Sequence, residues 1–275
     1  MTALAVTAGS AVVAALVAAL LLPRARRPVA TNHRGVRLPV VLGIALVAGV
    51  VLAALARVLA EAALGGGPAG EVLPVGWLLA ATALVSAGGL YDDLQPDRTR
   101  GLINQLSRGL HGEITPGLVK LVAIVVAAAI AVAALGGGPA RLMLGVPFVA
   151  GSANLWNLLD VAPGRAIKYQ LLAAFAVLPL AGNAAEGLLP AATGAAAGVA
   201  AFDLRERGML GDSGSNVLGF VLGATLYPSL PVWGLALALA IVLAIHGVAE
   251  SITLSRVIAR TPPLRWLDEL GRIRC

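Results

Sequence analysis

Three short stretches gather carboxylates, amides and hydroxyls inside an otherwise apolar chain: GGLYDD at residues 88–93, NLWNLLD at 154–160 and MLGDSGSN at 209–216. Asp92 and Asp93 close a hydrophobic run. If that run is a helix, its terminal carbonyls already carry about half a negative charge, and each carboxylate there is disfavoured by ~0.3–1 kcal/mol. The pair therefore needs a cation, either a loop arginine such as Arg98 or Arg100 or an ion that both acids share. Asn154, Asn157 and Asp160 are spaced i, i+3, i+6 and fall within about 120° of one helix face. A tight turn at Pro163 and Gly164 follows, presenting Arg165 and Lys168. Such a stripe bonds a neighbouring helix or interfacial water, or it holds a charged ligand. Asp212 and Ser213 precede a further apolar run and suit an ordinary N-cap; with Gly211 and Gly214 beside them they also suit a phosphate or a metal at a helix start. Taken together, carboxylates at the ends of separate runs, each with basic side chains nearby, match a magnesium-diphosphate site, in which carboxylates hold the cation, the cation bridges phosphate oxygens and Arg or Lys neutralises the remainder.

The elements that must position these residues are membrane spans. The 275 residues are 59% apolar and 12% charged, with a mean hydropathy of +0.89, against roughly 25% charged residues in soluble domains. Hydrophobic runs near the ~20 residues needed to cross a bilayer predict an all-α, polytopic membrane protein of about nine transmembrane helices, at 3–22, 40–60, 72–90, 117–135, 142–159, 167–182, 187–202, 214–228 and 233–254. The first run is read as a retained span, because no basic residue precedes it and PRARR follows it. With the N-terminus outside and the C-terminus cytoplasmic, 18 of 20 Lys and Arg lie at the inner face and only Arg57 and Arg141 near the outer one, which obeys the positive-inside rule. Eleven of 14 acidic residues share that face, so the active-site loops are expected to be cytoplasmic. Residues 1–255 form a single transmembrane domain in this reading, and 256–275 an amphipathic tail along the membrane surface, with Leu264, Leu267 and Leu270 at helical spacing. The glycine-rich GGGPAG at 65–70 and GGGPA at 136–140 read as turns. A net charge of +6 spread over short loops does not make a nucleic-acid face, and Cys275 as the only cysteine excludes an intramolecular disulfide and a thiolate cluster.

In order and spacing these segments resemble the polyprenyl-phosphate N-acetylhexosamine-1-phosphate transferases, the family that includes phospho-N-acetylmuramoyl-pentapeptide transferase. NHRGVRLPVVLGI, residues 32–44, is similar to the family's first inner loop and its Pro-x-x-Gly-Gly-Ile motif, with Leu42 in place of one glycine. GGLYDD resembles the paired-aspartate motif, RGLHGEITPGLVKL at 108–121 the start of the fourth span, NLWNLLD the Asn-x-x-Asn-Leu-x-Asp motif, and MLGDSGSNVLG the Met-Gly-Asp-x-Gly-Ser motif. The resemblance implies transfer of a phospho-sugar from a UDP-sugar to a polyprenyl phosphate, with Mg2+ as cofactor and UMP released. It implies Asp92, Asp93 and Asp212 as catalytic acids and magnesium ligands, Asn154, Asn157 and Asp160 around nucleotide or sugar, and Arg165, Lys168, Lys120 and Arg34 on phosphates. The bilayer is the other partner, and a homodimer is compatible with it.

The departures define a divergent branch. Pro163 stands where the family carries a second aspartate, a histidine-rich inner loop is missing, and a tenth span is absent. They also motivate a second expectation, a non-catalytic relative that binds lipid phosphate or scaffolds envelope assembly. A secondary transporter fits less well, since it would place its polar groups near the membrane midplane.

Overall fold

The structure, a computed structural model, describes residues 2–26, 28–32, 35–64, 69–95, 102–177, 187–251 and 254–272, with only the backbone at 69–73, 102–103, 106 and 250–251. Its helices are α1 (Ala3–Leu21), α2 (Leu42–Ala63), α3 (Ala69–Leu94), α4 (Leu102–Leu110), α5 (Pro116–Leu135), α6 (Pro139–Leu159), α7 (Arg165–Val177), α8 (Leu188–Leu204), α9 (Gly211–Ser229), α10 (Val232–Ser251), α11 (Leu254–Arg260) and α12 (Pro262–Glu269). Local chemistry sets several of the ends. Thr115 accepts the Leu118 N–H at 3.1 Å ahead of Pro116, and α5 closes on Gly136 at φ 74°, a left-handed conformation that glycine adopts without penalty. GGGPA at 136–140 is thus the turn expected, whereas residues 65–68 of GGGPAG lie outside the described residues.

Among the described residues six segments have the length and apolarity to cross a membrane: Ala3–Arg24, Leu42–Ala63, Pro74–Leu94, Pro116–Leu135, Pro139–Leu159 and Val232–Ala249. The protein is a multi-pass, all-α membrane protein. The other three runs counted as spans are α7, α8 and α9, of 13, 17 and 19 residues. Of these, α8 and α9 are largely buried, whereas α7 leaves Leu172 and Phe175 exposed. α9 is buried along most of its length and is surrounded by α2, α3, α5, α6, α7 and α8. A helix wrapped by protein needs neither the length nor the uniform apolarity that lipid demands, so it can carry Asp212, Ser213, Ser215, Asn216 and Thr225.

Close approach of backbones makes this enclosure feasible. A Cβ at Gly219 of α9 would strike the Ser152 carbonyl of α6, and Gly43 of α2 lies against the backbone at Leu210 and Gly214. Small residues at such crossings replace the hydrophobic driving force that lipid cannot supply. α8 crosses α1 in the same way, with Gly194 against the Thr7 carbonyl and the Ser10 hydroxyl, and Gly198 against the Ala11 carbonyl.

The segments read as loops carry structure of their own. Strands β1 (Val29–Thr31) and β2 (Arg37–Pro39) pair antiparallel, Ala30 opposite Leu38, in the loop between α1 and α2. Pro39 accepts the Met209 N–H at 2.9 Å, which ties this ribbon to the residues leading into α9. The α3 to α5 connection contains the amphipathic α4, and the boundary drawn at 255 falls inside α11.

The α1–α8 crossing predicts a contrast. Gly194→Val should lower thermal stability by about 1–3 kcal/mol through overpacking. Gly9→Ala, on the same pair of helices but with open space around it, should be neutral or stabilising by about 0.5–1 kcal/mol. Equal melting shifts for the two variants in detergent would contradict this packing.

Candidate functional site

Four helix ends meet at one end of the bundle: the C-termini of α3 and α6 and the N-termini of α5 and α9. They approach closely because Gly89 of α3 lies against the Asp212 backbone, leaving no room for a Cβ. Asp92, Asp93, Lys120, Asp160 and Asp212 are all carried by these ends. The three separate sequence motifs are therefore one locus.

At its centre is Lys120, 6% exposed in the second turn of α5. Its Nζ donates to Asp92 Oδ2 at 2.5 Å and to Asp212 Oδ2. This supplies the cation that Asp92 requires at the negative end of α3. The supplier is a lysine 28 residues along the chain, while Arg98 and Arg100 lie outside the described residues. Asp93 is engaged differently. Its two oxygens accept the backbone N–H groups of Asp212 (3.0 Å) and Ser213 (3.1 Å), so a side chain at the end of α3 satisfies the orphan donors at the start of α9. Gly211 permits this at φ 65°, since a Cβ there would crowd both Asp93 oxygens and Val40. Each Asp93 oxygen thus accepts one backbone N–H of α9, and Asp93 fixes the place of Asp212.

Asp160 is 9% exposed, and its Oδ2 has no protein partner. Burial pushes its carboxyl well above the usual carboxylate range, and the charges of Asp203, Asp212 and Asp93 act in the same direction while the Gly211 amide opposes them. Asn154 Nδ2 meets His246 Nε2 at 3.0 Å, and His246 Nδ1 lies 2.8 Å from the Val242 carbonyl. Nδ1 must therefore carry the proton and Nε2 accept from Asn154, a polar bridge from α6 to α10. Asn157 is half-buried on the same helix. Trp156, between them, is buried with Nε1 lacking a protein partner, as is Asn216 Oδ1 on α9.

Arg165 and Lys168 do not join this group. Arg165 forms a two-pronged pair with Asp268 of α12, Nε to Oδ1 at 2.8 Å and Nη2 to Oδ2 at 3.0 Å, and its Nη1 donates to Ser255 at 2.8 Å. Lys168 donates to the carbonyls of Asp268 and Leu270. These cations hold the C-terminal segment, because a guanidinium buried to 4% exposure must find acceptors. Arg34 lies outside the described residues. Asp203 and Asp268 went unrecognised in the sequence. Asp203 accepts the Gly164 N–H at 2.9 Å, and Asp268 pairs with a residue 103 positions away; neither sits in a motif, and nothing local marks them.

The acids present suit magnesium in kind. Among the described residues no three His, Cys, Asp or Glu side chains form a ready metal cage. Magnesium, however, takes one or two carboxylates plus water and substrate phosphates. Asp92 and Asp212 provide two carboxylates converging on one cationic point, filled here by the Lys120 ammonium.

Two outcomes follow from these charges. Lys120→Met should leave Asp92 and Asp212 uncompensated and lower stability by about 3–5 kcal/mol; an unchanged melting temperature would show that the acids find water instead. For Asp268, burial raises the carboxyl, but Arg165, Arg272 and Lys168 outweigh it and hold the group below its ordinary 3.8. Its stabilisation is therefore complete above 3.8 and is lost as pH falls through the lower folded-state value. Wild type and Asp268→Asn should differ in stability at neutral pH and converge in strong acid, and a gap that stays constant would contradict the pairing. The chain matches no protein-family model, and no curated protein matches it.

Proposed function

We propose that the protein transfers a phospho-sugar from a UDP-sugar to a polyprenyl phosphate at the inner face of the membrane, releasing UMP, as a step in building a cell-envelope glycan. The observation that carries this reading is the convergence of Asp92 and Asp212, from the ends of two helices, on the buried Lys120, beside an Asp160 carboxyl whose Oδ2 is buried without a protein partner. In this reading α7, α8 and α9 complete nine membrane-embedded helices, with the N-terminus outside. The site end is assigned to the cytoplasm by the positive-inside rule, since the sequence segments that lead into it belong to the side on which the span assignment puts 18 of 20 Lys and Arg.

Asp212 and Asp92 would hold a magnesium ion, which would supply positive charge to the donor diphosphate. The chain does the rest by positioning. Asp93 keeps the first turn of α9, and hence Asp212, in register. Lys120 offers its ammonium to phosphate oxygens. Asn154, Asn157 and Asp160 orient the nucleotide or sugar. An acceptor phosphate oxygen forms a bond to the sugar-linked phosphorus while the bond from that phosphorus to UMP breaks. The acceptor is already anionic near neutral pH, so no general base is required of either Asp92 or Asp93.

A second reading, a non-catalytic binder of lipid phosphate, is favoured by one specific feature: Arg165 and Lys168 are consumed by the C-terminal segment, next to a Pro163 that brings no acid. One assay separates the two. Purified protein with polyprenyl phosphate, magnesium and a panel of UDP-sugars should release UMP, and a chelator should stop it. Asp212→Asn and Asp92→Asn should each slow turnover by about 10²- to 10³-fold, the scale of losing one preorganised electrostatic contact. Asp93→Asn, acting through Asp212, should cost about 10- to 100-fold. Lipid-phosphate binding without UMP release from any donor would favour the binder.

A further inference from the structure

The turn that follows Asp160 is gripped from two sides. From the α8 side, Asp203 Oδ2 accepts the Gly164 N–H at 2.9 Å. From the C-terminal side, Arg272 Nε donates to the Pro163 carbonyl at 3.0 Å and its Nη2 to Asp268 Oδ1. Asp268 in turn takes both prongs of Arg165, the first residue of α7, and Lys168 one turn later closes on the carbonyls of Asp268 and Leu270 at the end of α12. A cation on those carbonyls satisfies groups that the helix itself leaves open. The turn is short, and Gly164 at φ 68° lies where a Cβ would strike the Leu204 side chain.

An apolar contact would hold the segment as tightly, since a buried ion pair seldom adds net stability over hydrophobic packing. What the pair adds is registry. Arg165 is enclosed by Asp268 and Ser255, so α12 cannot slide or leave without stranding a buried guanidinium. The outward face of α12 is different in kind: Arg265 and Trp266 are exposed, at 61% and 67%.

We infer that the C-terminal segment is a working part of the site, and that Asp268 is a positioning residue which acts through Arg165 to hold the turn at 160–165, and with it the Asp160 carboxylate, in place. The consequence for turnover rests on the transfer reading above; the mechanical coupling does not.

Amide hydrogen exchange on the full chain in lipid nanodiscs tests it. Asp268→Asn should speed exchange at Gly164, Arg165 and Lys168 by about tenfold or more, as local opening becomes easier. Arg165→Lys should do the same, because an ammonium cannot span both carboxylate oxygens. Arg272→Gln, which removes the more exposed strap and spares the core pair, should give a smaller rise and keeps the test open if the other two fail to fold. Arg265→Ala, on the outward face of the same helix, should leave exchange unchanged. In the UMP-release assay Asp268→Asn should lower kcat by about tenfold with KM for the lipid acceptor unchanged. Wild-type exchange at 160–168 in Asp268→Asn or in Arg272→Gln overturns the coupling, whatever the activity. Faster exchange with no turnover by the wild-type protein upholds the coupling and removes the transfer reading alone.

Discussion

One ammonium group holds the site end of the bundle together. Two helix C-termini, those of α3 and α6, deliver Asp92, Asp93 and Asp160 to the place where their own carbonyl dipoles are already negative. That charge is offset by the amides at the start of α9, two of them taken up by Asp93 and that of Gly211 acting on Asp160, and by the Nζ of Lys120, taken up by Asp92 and Asp212. Remove the lysine and the acids repel one another across a low-dielectric gap; retain it and the ends of α3, α5 and α9 are fixed to a common point. Such a pair contributes little as raw stabilisation and much as a specification of which helices meet.

This electrostatic junction needs backbones within reach of one another. Gly89 against Asp212, Gly211 against Asp93 and Gly43 against Gly214 each remove a side chain where a Cβ would have separated the partners. The same device lets α9 be enclosed on nearly all sides by α6, α3 and α2, so its polar first turn is presented to the site rather than to lipid. Packing and chemistry are thus one arrangement: the small residues that bring the helices together also bring the acids within range of a single cation.

The turn between α6 and α7 shows how the fold gives a basic pair partners that the sequence does not reveal. In sequence, Arg165 and Lys168 beside the acid stripe suggest phosphate ligands. In the fold both are turned to α12, where Asp268 and two carbonyls meet their donors. A guanidinium presents five donors and takes whichever acceptors the chain brings to it. Here the chain brings an acid from more than a hundred residues away, so the C-terminal segment becomes a buttress of the turn as well as a surface helix.

Much of the site was readable in the chain alone. Apolar runs of membrane-spanning length, the clustering of Lys, Arg and acids in the short connections, and the helical spacing of Asn154, Asn157 and Asp160 follow from composition and periodicity, because hydropathy and helical repeat are local properties. What required the tertiary structure were the partners: Lys120 for Asp92 and Asp212, the α9 backbone amides for Asp93, Asp203 for Gly164, Asp268 for Arg165. It also separated helices that are long and apolar enough to meet lipid from those, like α9, that are enclosed by protein. Charge pairing between residues 28 to 103 positions apart leaves no trace in the spacing of either partner, since it is decided by which helix ends the packing of small residues allows to touch.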